Sequence, residues 1–175
     1  MKLIVIDVQK GIMKEDIYMG SVVLSNIEKL IYEARMNDVE IIFVRHDRGE
    51  GSDLTIGQEV HNICDEIKPL PSEKVFDKKI NSMFGNSELK EYLLSSSDRD
   101  LMITGLKTNF CIDASIKSAF DLGFKVTVPE YCNSTTGSRF MSGETTYEYY
   151  NTLIWPGKFA EIVSFKKALL MLKTE

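Results

Sequence analysis

A chain of 175 residues, 43% hydrophobic and 27% charged, is long enough for one domain with a sizeable core and has the balance of a soluble globular protein. Its formal net charge of -5, without a long Lys/Arg run, argues against nucleic acid as a partner but leaves small anionic ligands open. No segment approaches the roughly 20 apolar residues of a membrane span, so no membrane partner is expected.

Three widely spaced cysteines (Cys64, Cys111, Cys132), with no CxxC pair, argue against a disulfide scaffold and against a cysteine-rich zinc site. Met1 runs directly into Lys-Leu-Ile-Val-Ile-Asp, which reads as a strand rather than a signal peptide. The expected compartment is therefore the cytoplasm.

Taken in chain order, the periodicity alternates between short apolar runs and helical stripes. Leu3–Val8 is a continuous β-rich run, as expected for a strand covered on both faces. Val23, Ile27, Leu30, Ile31 and Ala34 then recur on one face of a helix that ends at Asn37-Asp38. Val39–Val44 is a second buried run. Arg45 to Leu70 reads as a long irregular connector, and long loops in compact domains are often functional.

Lys74–Asp77 predicts a short third strand, and Ser87–Leu94 a helix capped by Asn86 or Ser87. Leu101–Thr104 is a fourth strand ending at Gly105. Ile112, Ile116, Ala119 and Phe120 mark a helix stopped by Gly123, and Phe124–Val128 is a fifth strand. Glu144–Ile154 predicts a helix, Ala160–Val163 a sixth strand, and Ser164 the cap of a last helix through Leu172. The pattern predicts a single α/β domain over 1–175, a three-layer α/β/α Rossmann-like sandwich. Its six-stranded sheet should be mostly parallel, in the order 3-2-1-4-5-6.

In such folds the reacting groups gather beyond the carboxyl ends of the strands. Asp7 ends the first strand, Lys78 follows the third and Cys111 follows the fourth, so all three face one edge of the sheet. Singly, Asp7 and Cys111 have ordinary explanations: an Asp there caps a turn, and a lone Cys is a small apolar residue. Cys111, however, opens a helix, where backbone N–H groups lower a thiol's pKa, and it follows a Gly-containing turn with amides suited to an oxyanion. A thiol, a base and a cation are what acyl transfer from an amide requires.

Three ordered motifs carry a resemblance over Leu3 to about Leu170: Leu-Ile-Val-Ile-Asp-Val-Gln (3–9), Lys-x-x-x-Ser-x-Phe (Lys78, Ser82, Phe84) and Gly-x-x-Thr-x-x-Cys (Gly105, Thr108, Cys111). With them the chain resembles the isochorismatase-like cysteine hydrolase superfamily, which includes nicotinamidases and N-carbamoylsarcosine amidase relatives. The resemblance implies an Asp7–Lys78–Cys111 triad cleaving a C–N bond of a small molecule through a thioester, without a cofactor. Asp7 would be the general acid/base and Lys78 would hold the thiolate, with Lys79 as its rival. The resemblance further implies a cis Leu106–Lys107 peptide, an oxyanion hole from the backbone amides of Lys107 and Cys111, and a homodimer or higher homo-oligomer.

The chain departs from its relatives around that centre. Nicotinamidases hold a metal with Asp-x-His and a further His; here the loop reads Arg45-His46-Asp47, then His61, in the wrong order, so no metal is expected. Ile12 stands where many relatives have Phe, Glu130-Tyr131 where they have Asp-Ala, and Asn151 lies where a His is frequent. Ile12, Phe84, Phe110 and Tyr131 are the candidate pocket lining, and Cys64 and Cys132 are expected to be structural. Two other functions stay open: isochorismatase-type vinyl-ether hydrolysis, and an idle oligomeric scaffold.

Overall fold

A computed structural model describes residues 1–173. Its strands are β1 (Lys2–Ile6), β2 (Ile41–His46), β3 (Lys74–Lys78), β4 (Asp100–Leu106), β5 (Lys125–Pro129), β6 (Asn133–Ser134) and β7 (Glu161–Val163). They form one sheet in the order β3-β2-β1-β4-β5-β7, with the short β6 paired beside the end of β4. Every ladder is parallel. The expected α/β architecture and strand order are present, the sixth predicted strand being β7.

Alternation along the strands divides the core in two. Leu3, Val5, Ile41 and Phe43 face α2 (Gly20–Met36) and α6 (Phe165–Met171), meeting Ile27, Leu30, Ile31 and Ala168. Ile4, Ile6, Ile42 and Val44 face the other way, toward α3 (Ser87–Ser95) and α4 (Asp113–Asp121), meeting Leu89, Leu93, Ile112 and Ile116. Each buried large aliphatic side chain contributes roughly 1.5–3 kcal/mol. Two such layers hold the strand ends in fixed register, and the site depends on that register.

Several boundaries differ from the sequence reading, each for a local reason. Asn86 caps α3, its Oδ1 accepting from Leu89 N–H at 2.9 Å. β3 continues to Lys78, because Lys78 pairs with His46 at the end of β2. The predicted helix at Glu144–Ile154 is α5 (Gly143–Glu148) running into a π-helical turn at Tyr149–Ile154. β6 and α1 (Lys10–Met13) are too short for any periodicity to register.

Candidate active site

β1 delivers its last side chains to the carboxyl edge of the sheet, and Asp7 follows at φ +57°. Left-handed backbone is uncommon outside glycine, and Asp is among the residues that tolerate it. On the adjacent strand Gly105, opposite Ile6, has φ +121°. A Cβ there would lie 1.9 Å from the Ile6 carbonyl oxygen, so only glycine lets β4 run this close to the turn carrying Asp7.

Lys78, at the end of β3, reaches across beneath β2. Its Nζ donates to Asp7 Oδ2 at 2.8 Å and to Cys111 Sγ at 3.2 Å, and lies 2.9 Å from His46 Nδ1. An ammonium has three protons, and here each has an acceptor. That assignment fixes His46 as the neutral tautomer with its proton on Nε2. Asp7 Oδ1 is buried and without a partner among the described residues, leaving an acceptor open beside the thiol. Lys79 is exposed, so the ammonium in this cluster is that of Lys78.

Cys111 lies in a π-helical turn, Thr108–Ile112, that leads into α4, and is 7% exposed. The peptide Leu106–Lys107 before it is cis. A buried amide network braces this turn: Thr108 Oγ1 donates to Asn133 Oδ1, and the Asn133 and Asn151 side chains donate to each other. Asn109 Oδ1 accepts from Thr135 Oγ1 at 2.7 Å. None of these amides has a chemical motif of its own in the sequence. Their signal is burial of a polar side chain, visible only once the fold is formed.

The electrostatics differ from the expectation drawn from the helix start. Burial first, and then the Asp7 charge, push the Cys111 thiol up to about 12, with Lys78 only partly opposing them. Burial also pushes Asp7 above the usual carboxylate range, while the Lys78 ammonium pulls it back. Burial, then Lys78 and then Arg48, push His46 down to about 4. In the resting site, then, the thiol keeps its proton and His46 is neutral.

These groups open into a cavity of about 360 Å³ lined by Asp7, Ile12, His46, Arg48, Asn81, Lys107, Phe110 and Cys111. Ile12 and Phe110 are among the residues expected there. Phe84 and Tyr131 are not: Phe84 stacks on Phe124 at 5.8 Å, and Tyr131 stacks on Tyr147 at 5.2 Å. Phe84 thereby packs against the core, whereas Tyr131 is 41% exposed and makes its stacking contact at the surface. A larger hollow of about 540 Å³ beside Phe120 and Phe159 has no Cys, His or Asp in its lining.

Arg48 went unread in the sequence, Gln9 was quoted there without a role, and His46 was weighed only as a metal ligand. Gln9 is fully buried and clamps two segments together: its Nε2 donates to the carbonyls of His46 and His61, and its Oε1 accepts from His46 N–H at 2.7 Å. Its place directly after the Asp7-Val8 turn was the available signal.

As for a metal, the one set of three candidate ligand atoms among the described residues is that of Asp7, His46 and Cys111, all within 4.8 Å of one another. The Lys78 ammonium is within hydrogen-bond distance of all three residues and already supplies the positive charge. His61 is outside the set, with Nε2 3.3 Å from Asp77 Oδ1.

The chain matches the isochorismatase domain over residues 2–147. It is 28% identical over 112 residues to a ureidoacrylate amidohydrolase of Caulobacter segnis, an alignment covering 64% of this chain and 47% of that relative, about half its length. It is 29% identical over 147 residues to an uncharacterized isochorismatase family protein of Bacillus subtilis, covering 77% of each. A cysteine hydrolase from Pseudomonas syringae shares the fold, with a TM-score of 0.87 at 21% identity over 98% of this chain and 91% of the other. With the domain matched across most of its length, the chain belongs to the isochorismatase family.

Proposed function

We propose that this protein is a hydrolase that cleaves an amide-type C–N bond of a small molecule through a thioester on Cys111. The observation that carries the reading is the Lys78 ammonium donating to both Asp7 and Cys111 at the floor of a cavity. The names of the ureidoacrylate amidohydrolases among its relatives support the reaction class.

The chemistry follows from where the protons sit. The resting thiol is protonated, so attack on the substrate carbonyl is coupled to transfer of its proton to the open oxygen of Asp7. The ion pair with Lys78 favours the carboxylate form against burial and steadies the developing thiolate. The oxyanion is received by the backbone amides of Lys107 and Cys111. Asp7 returns the proton to the leaving nitrogen as the C–N bond breaks. Water then attacks the thioester, giving a proton to Asp7, and the thiol is re-formed as the acid leaves.

The buried ammonium accounts for the placement of the base without any metal. We place the activity in the cytoplasm, consistent with three free thiols, and in a homo-oligomer.

The experiment is ammonia release from a panel of small carboxamides and carbamoyl compounds, with wild type beside Cys111→Ala. Turnover by wild type and at least about a thousandfold loss in the variant is the expected result. An active Cys111→Ala variant would overturn the reading.

A further inference from the structure

We infer that the hollow of about 540 Å³ beside Phe120 and Phe159 is a second binding site, apart from the catalytic cavity, for a small aromatic acid. The inference does not depend on the chemistry proposed for Cys111.

The hollow lies where α4 ends and where β5 and β7 begin. Lys125 and Val126 are the first residues of β5, and Glu161 is the first of β7. The strands are parallel, so this is the amino edge of the sheet, opposite the edge that carries Asp7, Lys78 and Cys111. Left-handed turns bound the hollow at Gly123, with φ +82°, and at Gly157, with φ +69°. A Cβ added at either glycine would meet nothing within 4 Å, so both turns stand clear of the rest of the chain and leave the mouth open.

The interior is apolar and aromatic. Phe124 and Val126 belong to the core on the α4 side and form the floor. Phe120 is 48% exposed and meets Phe159 edge to face, with ring centroids 5.6 Å apart. The fold leaves these two rings only partly covered. A third ring placed against them gains both apolar burial and aromatic contact.

Charge at the rim sets the sign of the ligand. Lys125 and Lys158 line the hollow and are exposed, and neither has a carboxylate within ion-pair distance among the described residues. Asp100 is opposite Lys125 across the β4–β5 ladder without pairing with it. Arg99 stands over the Phe124 ring at 5.0 Å and Lys117 over the Phe159 ring at 5.5 Å, so two more cations flank the aromatic walls. Glu161 is the acidic residue in the lining, and Lys167 pairs with it at 2.7 Å. On a chain of net charge -5 this is a local cationic patch over an apolar floor. An aromatic body for the rings with one carboxylate or sulfonate for the lysines complements both parts. The volume is within the usual range of about 300–1,000 Å³ for small ligands.

The test uses two fluorescent probes that differ by one sulfonate: 8-anilinonaphthalene-1-sulfonate and neutral N-phenyl-1-naphthylamine. Each is titrated into the full chain at low ionic strength, where exposed charges are least screened. One sulfonate probe per chain is expected to bind, shifting the amide NMR signals of Gly123 and Gly157 and leaving those of His46 and Cys111 in place. Replacing both exposed lysines (Lys125→Met with Lys158→Met) should weaken the sulfonate probe about fivefold, as two exposed ion pairs would, and the neutral probe less than about twofold. Phe120→Ala should weaken both probes.

An unchanged sulfonate affinity in the double lysine variant would overturn the inference. So would shifts at His46 and Cys111 in place of Gly123 and Gly157, which would put the probe in the catalytic cavity. Probe binding that weakens as protein concentration rises, with dimer appearing in sedimentation, would also overturn it by assigning this face to a second copy of the chain.

Discussion

Cys111 and Cys132 are two buried thiols near the same edge of one sheet, and only one has the company that chemistry needs. Cys132 is 0% exposed, packed among the aliphatic residues on the α2 side, and burial alone pushes its thiol well up. Cys111 is 7% exposed and also pushed up, but Asp7, Lys78 and a cavity adjoin it. Burial therefore does not separate a structural thiol from a reactive one. A proton acceptor with an open lone pair, a fixed cation and access to a ligand do.

The largest expected effect breaks the comparison at its centre. Cys111→Ala should lower turnover by at least about a thousandfold with little change in the melting temperature, while Cys132→Ser should do the reverse. A buried hydroxyl without a partner costs roughly 1–3 kcal/mol, read as a shift in the urea midpoint, with activity per folded molecule retained. Activity that depends on both thiols alike would erase the distinction.

Next in size is the support beneath Asp7. Gly105→Ala places a methyl 1.9 Å from the Ile6 carbonyl at a φ of +121°, so it should cost several kcal/mol and displace the Asp7 turn. Lys78→Met leaves a buried carboxylate without its counter-ion, a loss of roughly 3–5 kcal/mol if Asp7 stays charged. Uptake of a proton by Asp7 at neutral pH, seen by carboxyl-region infrared spectroscopy, would be the sign that it has relieved the cost. Wild-type stability together with a still-ionised Asp7 would contradict the role given to the ion pair.

The smallest effect concerns His46. In the folded protein it takes up a proton only near pH 4, whereas an unfolded histidine does so near 6.5. Between those values the unfolded chain binds more protons, so stability falls as pH falls through that window. His46→Asn removes the titration while keeping an acceptor for Lys78. The urea midpoint should then decline less between pH 6.5 and 4.5 than in wild type; an equal decline would mean that His46 is not held neutral.

How much of this was legible beforehand follows from the distance over which each signal acts. Buried parallel strands announce themselves by apolar runs, and strand ends in such a sheet face one edge, so the nearness of Asp7, Lys78 and Cys111 could be anticipated. Residues placed by loops and buried polar contacts were not: Arg48 enters the cavity because Asp47 and Leu54 pin its turn, and Gln9 matters because two carbonyls converge on it. Phe84 and Tyr131 were assigned to the cavity because an aromatic residue near a motif suits a pocket or a core equally well. Stacking on Phe124 takes Phe84 to the core, while Tyr131 stacks on Tyr147 at the surface. The raised Cys111 thiol went unread because a helix start is visible in sequence, while burial and a neighbouring carboxylate are not.

The most direct test of the Cys111 chemistry is the intact mass of the protein, quenched in acid during turnover of a small carboxamide. The expected result is an added mass equal to the acyl portion of the substrate, mapped to the Cys111 peptide and lost in Cys111→Ala. Ammonia release with the protein mass unchanged, continuing in the Cys111→Ala variant, would contradict the account.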